Sequence, residues 1–270
     1  ARQHTALRVG TRGATGRPRR MSRPTFAVID TQAFMANYRY AKSLAPHARA
    51  VAVVKANGYG HGAVPLAQAL GDEADAFGVA CCEEASELRE AGVNGPILLL
   101  EGVFDPGELE QVEDLELQPV LHSQVQVDWL LQARPARPLT VWIKVDTGMH
   151  RLGFAPEKLQ SVYRRLHGST NIGQIVLMSH FARADEVDAA ATERQLTLFH
   201  RSVGGIEAPV SLANSAAVMA WPASHGDWVR PGIMLYGSSP LLERSAEELD
   251  LRPVMQFESR LAAIQHVRKG

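Results

Sequence analysis

The segment VAVVKANGYGHG, residues 51–62, ends an apolar run in Lys55 and continues with three glycines around Tyr59 and His61. A strand apolar on both faces belongs to a parallel sheet covered on both sides. A lysine at the end of such a strand is partly desolvated, which favours its neutral form as a nucleophile or base. Four further segments carry chemistry-bearing side chains. KVDTGMHRLGF holds Lys144, Asp146 and Arg151, and MSHFARAD holds His180. LANSAA holds Asn214 and Ser215, and VRPGIMLYG holds Arg230, Gly232 and Ile233. Asn214, Ser215 and a helix start offer an asparagine, a hydroxyl and free backbone amides, a set that attracts anions. Gly232 allows close approach of backbone to a ligand, and Tyr59 can reach the same group from its own loop. One lysine amine, one phosphate cradle and an arginine between them suit a phosphate-bearing aldehyde. Pyridoxal 5'-phosphate, held as a Schiff base on the lysine, is such a cofactor.

Elements must bring these segments together. From Met21 onward the punctuation is regular. PTFAVID reads as a strand, and TQAFMANYRYAKSLA as a helix capped by Asp30 or Thr31. Starting at RAVAVVKAN, eight strand-like runs follow, seven of them succeeded by a helical segment. Strands alternating with amphipathic helices argue for a parallel sheet. Eight such units over roughly 220 residues fit a closed (β/α)8 barrel of the α/β class, whose usual size is about 250 residues. An open doubly wound sheet would want GxGxxG after its first strand, and GYGHG has the wrong spacing. Lys55, Lys144, Arg151, His180, Asn214, Ser215, Arg230, Gly232 and Ile233 all fall at the carboxyl ends of the strand-like runs. That is the face where barrel enzymes place their chemistry.

Composition excludes other classes. The 270 residues are 46% hydrophobic and 21% charged, with a net charge of -1, so nothing steers the chain toward nucleic acid or an acidic membrane. No apolar stretch approaches the ~20 residues needed to span a bilayer. The two cysteines, Cys81 and Cys82, are adjacent and form no disulfide framework, which points to a reducing, cytoplasmic compartment. Neither zinc spacing nor HExxH occurs, so no metal is expected. Residues 1–20 hold six arginines and no acidic residue, and read as a disordered or non-native leader before a natural start at Met21.

The five quoted segments, in this order and spacing, resemble the signature segments of alanine racemases, over roughly Met21 to Gly270. The resemblance implies a barrel carrying pyridoxal 5'-phosphate at residues 21–245, a homodimer, and interconversion of L- and D-alanine, the latter a peptidoglycan precursor. It assigns the cofactor linkage and one catalytic base to Lys55. The phosphate falls to Tyr59, Asn214, Ser215, Gly232 and Ile233, and Leu100 joins the cofactor contacts. Arg230 is similar to the arginine facing the pyridine nitrogen. It stays protonated and cannot give the ring a proton, and His180 supports it. Arg151 is placed near the cofactor's phenolic oxygen and the substrate carboxylate, with Lys144 as a carbamylation position that orients it.

The pattern breaks at the second base, which the family takes from a tyrosine of a carboxyl-terminal β-domain in the partner subunit. Residues 246–270 look like the start of that domain, and no residue here matches the tyrosine. Tyr236, in IMLYG, is not a substitute by motif. Racemisation by these residues alone is therefore expected to be impaired. The alternative is a barrel that binds the cofactor without racemising, as a carrier or regulator.

Overall fold

The computed structural model describes residues 6–8, 24–186 and 190–270. Strands β1 (Ala6–Arg8) and β2 (Phe26–Asp30) come first, and β2 leads directly into α1 (Thr31–Leu44). Asp30 caps α1, its Oδ1 accepting from the amides of Gln32 at 2.9 Å and Ala33 at 3.0 Å. Repeating β/α units follow: β3 (Arg49–Val53), the short α2 (Lys55–Tyr59), α3 (Ala63–Leu70), β4 (Ala76–Val79) and α4 (Cys82–Glu90). Next are β5 (Ile97–Leu99), α5 (Glu108–Asp114), β6 (Leu117–Leu121), α6 (Gln124–Gln132), β7 (Leu139–Lys144) and α7 (Leu159–His167). The series ends with β8 (Ile172–Met178), α8 (Ala190–Val203), β9 (Val210–Ser211), α9 (Ser215–Ala220), β10 (Trp228–Val229) and β11 (Met255–Glu258).

Strands β3 to β10 form a closed parallel barrel, β10 pairing with both β9 and β3. This is the (β/α)8 architecture that the eight strand-like runs predict. Its interior is filled by Val51, Leu98, Val120, Trp142 and Val176, with the Trp142 indole donating to Gln118 Oε1 at 2.9 Å. The opposite faces of the same strands pack under the helices, which is why β4 and β5 are buried throughout. Outside the barrel, β2 pairs antiparallel with β1 on one side and β11 on the other. The rest of the arginine-rich leader, apart from Ala6–Arg8, lies outside the described residues. Among the described residues, no helix is long and apolar enough to cross a membrane.

Candidate active site

One cavity of about 550 Å³ opens at the carboxyl ends of the barrel strands. Lys55, Tyr59, Leu100, Lys144, Arg151, His180, Asn214, Ser215, Arg230, Gly232 and Ile233 all line it. They come from six different strand ends; Asp146, the other side chain named in these segments, does not line it.

Lys55 differs from its expectation as a strand-end lysine. It lies two residues beyond β3, opens α2 and is half-buried. The segment after it is not an ordinary helix. Ala56, Asn57, Gly58 and Tyr59 have φ of 52, 51, 61 and 51°. A left-handed turn costs roughly 1–2 kcal/mol for each residue carrying a Cβ, less for asparagine and nothing for glycine. Local bonds offset part of that cost. Gly60 N–H donates to Ala56 O at 3.1 Å and Gly62 N–H to Asn57 O at 2.9 Å. Asn57 Oδ1 also accepts from the Ala63 amide at 3.0 Å. Lys55 and Tyr59, at the two ends of this segment, line the same cavity. Tyr59 reaches across to Gly232, where an added Cβ would lie 2.8 Å from the phenolic oxygen. A side chain there would push the phenol of Tyr59 aside.

Asn214 caps α9 by accepting from the Ala217 amide at 3.1 Å. Ser215 Oγ accepts from the amides of Gly232 at 2.8 Å and Met234 at 3.3 Å. Its own proton remains to be donated. The Gly232 amide is thus already used within the protein, and that residue's contribution is its missing side chain.

Arg230 is only 3% exposed. Its guanidinium donates to Ser179 O at 2.6 Å, Leu212 O at 3.2 Å, Ser211 Oγ and His180 Nδ1 at 3.3 Å. Burial pulls its pKa down to about 10, so it stays protonated at neutral pH. Because His180 Nδ1 accepts from a guanidinium, the ring proton sits on Nε2. Burial first, then the charges of Arg230, Lys144, Arg151 and Lys55, hold His180 well below its ordinary pKa. The imidazole is neutral at pH 7.

The desolvated lysine of the site is Lys144, at the end of β7 and 6% exposed. Burial, reinforced by Arg230 and Arg151 and opposed by Asp146, lowers its pKa to about 8. That depression corresponds to on the order of 3 kcal/mol of disfavoured charge. The penalty is fully present below pH 8 and is lifted as pH rises from 8 toward 10.5, because the unfolded chain then holds the extra proton. Lys144→Met is accordingly expected to be more stable than the parent at pH 7. The advantage should shrink between pH 8 and 10.5, as read from urea midpoints. A constant difference across that range would contradict the buried charge.

Asp146 builds the loop that presents Arg151. Its Oδ1 accepts from the amides of Gly148, Met149 and His150 at 3.0, 3.1 and 3.0 Å. Burial opposes its ionisation, but these amides and the His150 ring outweigh that and keep its pKa low. Arg151 itself is exposed at the cavity mouth. Behind it runs a chain of hydrogen bonds absent from the sequence reading. Gln195 Nε2 donates to Thr147 Oγ1 at 3.3 Å, Thr147 Oγ1 to Ser179 Oγ at 2.8 Å, and Ser179 Oγ to Val145 O at 2.8 Å. Gln195 also holds His180 O and the Ala182 amide. It thereby ties the Arg151 loop to the His180 loop. Thr147 and Ser179 stand inside quoted motifs, whereas Gln195, on α8, carried no local signal. Glu101, Met178, Asp185 and Pro240 also line the cavity without having been singled out. Tyr236 does not line it. Its hydroxyl donates to Val53 O at 2.9 Å, and its ring packs on Phe34, Tyr59 and His61.

The family model described as "Alanine racemase, N-terminal domain" matches residues 29–240. The chain belongs to the alanine racemase family. It is 51% identical over 248 residues to an alanine racemase of Pseudomonas entomophila, covering 92% of this chain and 69% of that protein. A catabolic alanine racemase of Pseudomonas aeruginosa is 50% identical over 249 residues, with the same coverage. The crystal structure of the biosynthetic alanine racemase from Pseudomonas aeruginosa superposes with a TM-score of 0.85 at 48% identity, over 87% of this chain and 66% of that one. The Acinetobacter baumannii alanine racemase gives 0.86 at 40% identity, over 92% and 70%. The chain thus spans about two thirds of the length of these alanine racemases.

Proposed function

We propose that this chain is the cofactor-binding barrel of a pyridoxal 5'-phosphate-dependent alanine racemase that interconverts L- and D-alanine in the cytoplasm and supplies D-alanine for peptidoglycan. The observation that carries the reading is the convergence of all eleven candidate residues on one cavity.

The donor set fits the cofactor. At one end lies a cradle that a Cβ on Gly232 would fill, flanked by the Tyr59 hydroxyl, the Ser215 hydroxyl and the start of α9. With Asn214 and Ile233 these residues would hold the phosphate. Lys55 would hold the aldehyde end, and Leu100 would form a wall. When bound, the cofactor supplies the electron-withdrawing ring that makes the α-hydrogen of alanine acidic.

The chain's own residues do the rest. Lys55 removes or returns the α-proton on one face. Arg151, at the mouth, holds the substrate carboxylate. Arg230, fixed by four hydrogen bonds, would face the ring nitrogen and give it no proton, since the guanidinium stays charged. His180, neutral, accepts from Arg230 and holds it in place. Lys144, with its pKa near 8, has an appreciable neutral fraction at physiological pH, the form that takes up carbon dioxide. A carbamate there would turn a repulsive neighbour of Arg151 into an attractive one.

The second base is proposed to lie outside residues 1–270, in a carboxyl-terminal β-domain that begins within 246–270 and acts across a homodimer. The buried, bonded hydroxyl of Tyr236 supports excluding that residue.

Borohydride reduction of the folded protein with pyridoxal 5'-phosphate tests the site. Peptide mapping is expected to place the reduced adduct on Lys55. An adduct on Lys144 would overturn the assignment. Binding without any α-proton exchange of alanine would favour a cofactor carrier instead.

A further inference from the structure

We propose that Glu84 is a positioning residue for Lys55 and Tyr59, acting through the left-handed turn that carries them; the role rests on the site reading above. Glu84 is the third residue of α4, after Cys81 as the cap. A carboxylate at this position usually returns to the cap's own amide. Here it does something else. Oε2 accepts from the Ala80 amide at 2.8 Å, and Oε1 accepts from the Ala56 amide at 2.7 Å.

Ala80 directly follows β4, and Ala56 lies just beyond β3. The carboxylate therefore staples the ends of two neighbouring barrel strands at the mouth of the cavity. Ala56 is also the residue after Lys55 and the first of the four left-handed residues. Among the described residues, no other side chain from outside residues 54–63 hydrogen-bonds the backbone of this turn. An ionised carboxylate has only acceptors and can meet two N–H groups at once. A glutamine in its place has one acceptor oxygen and turns an NH2 toward the second amide. Capping α4 needs only a bond at the helix start. The bond to Ala56 is surplus to that task and lands on the backbone that aims the amine.

Three variants separate positioning from simple support. Glu84→Gln keeps the shape but loses one acceptor. Glu84→Asp keeps the charge but is one methylene too short to span both amides. Glu83→Gln, next to it and exposed, is the control. In the protein without cofactor, amides of residues 56–60 are expected to exchange hydrogen about tenfold faster in Glu84→Gln and Glu84→Asp, the scale of one lost charge-assisted bond. Amides of β7 and β8 should not change. Lys55 labelling by pyridoxal 5'-phosphate and borohydride, read well below the melting temperature, should slow by a similar factor. The preference for pyridoxal 5'-phosphate over pyridoxal should fall as well, because Tyr59 moves with the turn. Loss of stability alone would leave that preference intact. Labelling of Lys55 at the parent rate and preference in both Glu84 variants would overturn the positioning role and leave the site reading standing. A parent chain that labels at another lysine would overturn the site reading, and the positioning role with it.

Discussion

Purified as residues 1–270 and loaded with pyridoxal 5'-phosphate, the protein is expected to exchange the α-hydrogen of D-alanine with deuterated water about 10²–10⁴-fold faster than it racemises either enantiomer. The reason is facial. Lys55 lines one side of the cavity and can pass a proton only to the face it meets. The family resemblance makes D-alanine the enantiomer that lysine serves. Delivery to the opposite face needs a second positioned acid. Among the described residues, Tyr59 is the only tyrosine lining the cavity. Its hydroxyl points at Gly232, in the cradle assigned to phosphate. Burial raises its pKa, which makes it a poorer proton donor still. Tyr236 is committed to Val53 O. Water must then reprotonate the far face without orientation, which is where the lost factor arises. Mass spectrometry of recovered alanine, resolved by enantiomer, reads both rates at once. Racemisation as fast as the exchange would mean that a second base lies within these residues.

Replacement of Arg230 should have the largest effect on stability. Arg230→Ala leaves Ser179 O, Leu212 O and Ser211 Oγ without their shared donor at a buried point. Ser211 Oγ keeps its bond to Trp228 O, so the two carbonyls are the orphaned groups, at about 1–3 kcal/mol each unless water reaches them. Removing a buried charge offsets part of this. The net loss should be on the order of 3 kcal/mol, or roughly 6–12 °C in Tm for a chain of this size. The pKa of His180 should rise in the same variant without regaining its ordinary value, because burial outweighs the Arg230 charge among its causes. Histidine ring titration by NMR reads that directly. Arg230→Lys separates stability from chemistry. It keeps a charge but loses the planar fork, and its ammonium can give up a proton where guanidinium cannot. A full-length alanine racemase carrying the equivalent of Arg230→Lys should show more transamination relative to proton exchange. An unchanged ratio would remove Arg230 from the ring nitrogen. An Arg230→Ala variant that unfolds at the parent Tm would show that the four bonds contribute nothing net.

Much of this protein is legible in one dimension because the signals are local. Runs such as RAVAVV and PILLL are too short and too apolar for surface helices, and amphipathic segments follow seven of the eight such runs. Periodicity of that kind fixes strand and helix without knowledge of neighbours. The barrel then follows from eight covered parallel strands once the open doubly wound sheet is set aside for want of a GxGxxG turn. The chemical residues were visible for a related reason. A lysine, histidine or arginine at the end of an apolar strand is costly there, and cost without local benefit points to a ligand.

What required the tertiary structure is everything set by contact between distant residues or by backbone hand. Lys55 and Lys144 look alike in sequence, each ending an apolar strand. Only the fold shows that Lys144 is the buried one, with two arginines beside it, while Lys55 rides half-exposed on a left-handed turn. Glycines in GYGHG permit such a turn but do not specify it. Its conformation depends on a carboxylate 28 residues away. Gln195 gives no sign of its place between the Arg151 and His180 loops, because a glutamine on an amphipathic helix is ordinary until its neighbours are known. The pairing of β2 with β11 likewise joins segments more than two hundred residues apart. Sequence determines which groups the chain can bring to a site. Packing decides which of two chemically identical amines is desolvated and which is aimed, because desolvation and aim belong to the surroundings of a side chain and not to its type.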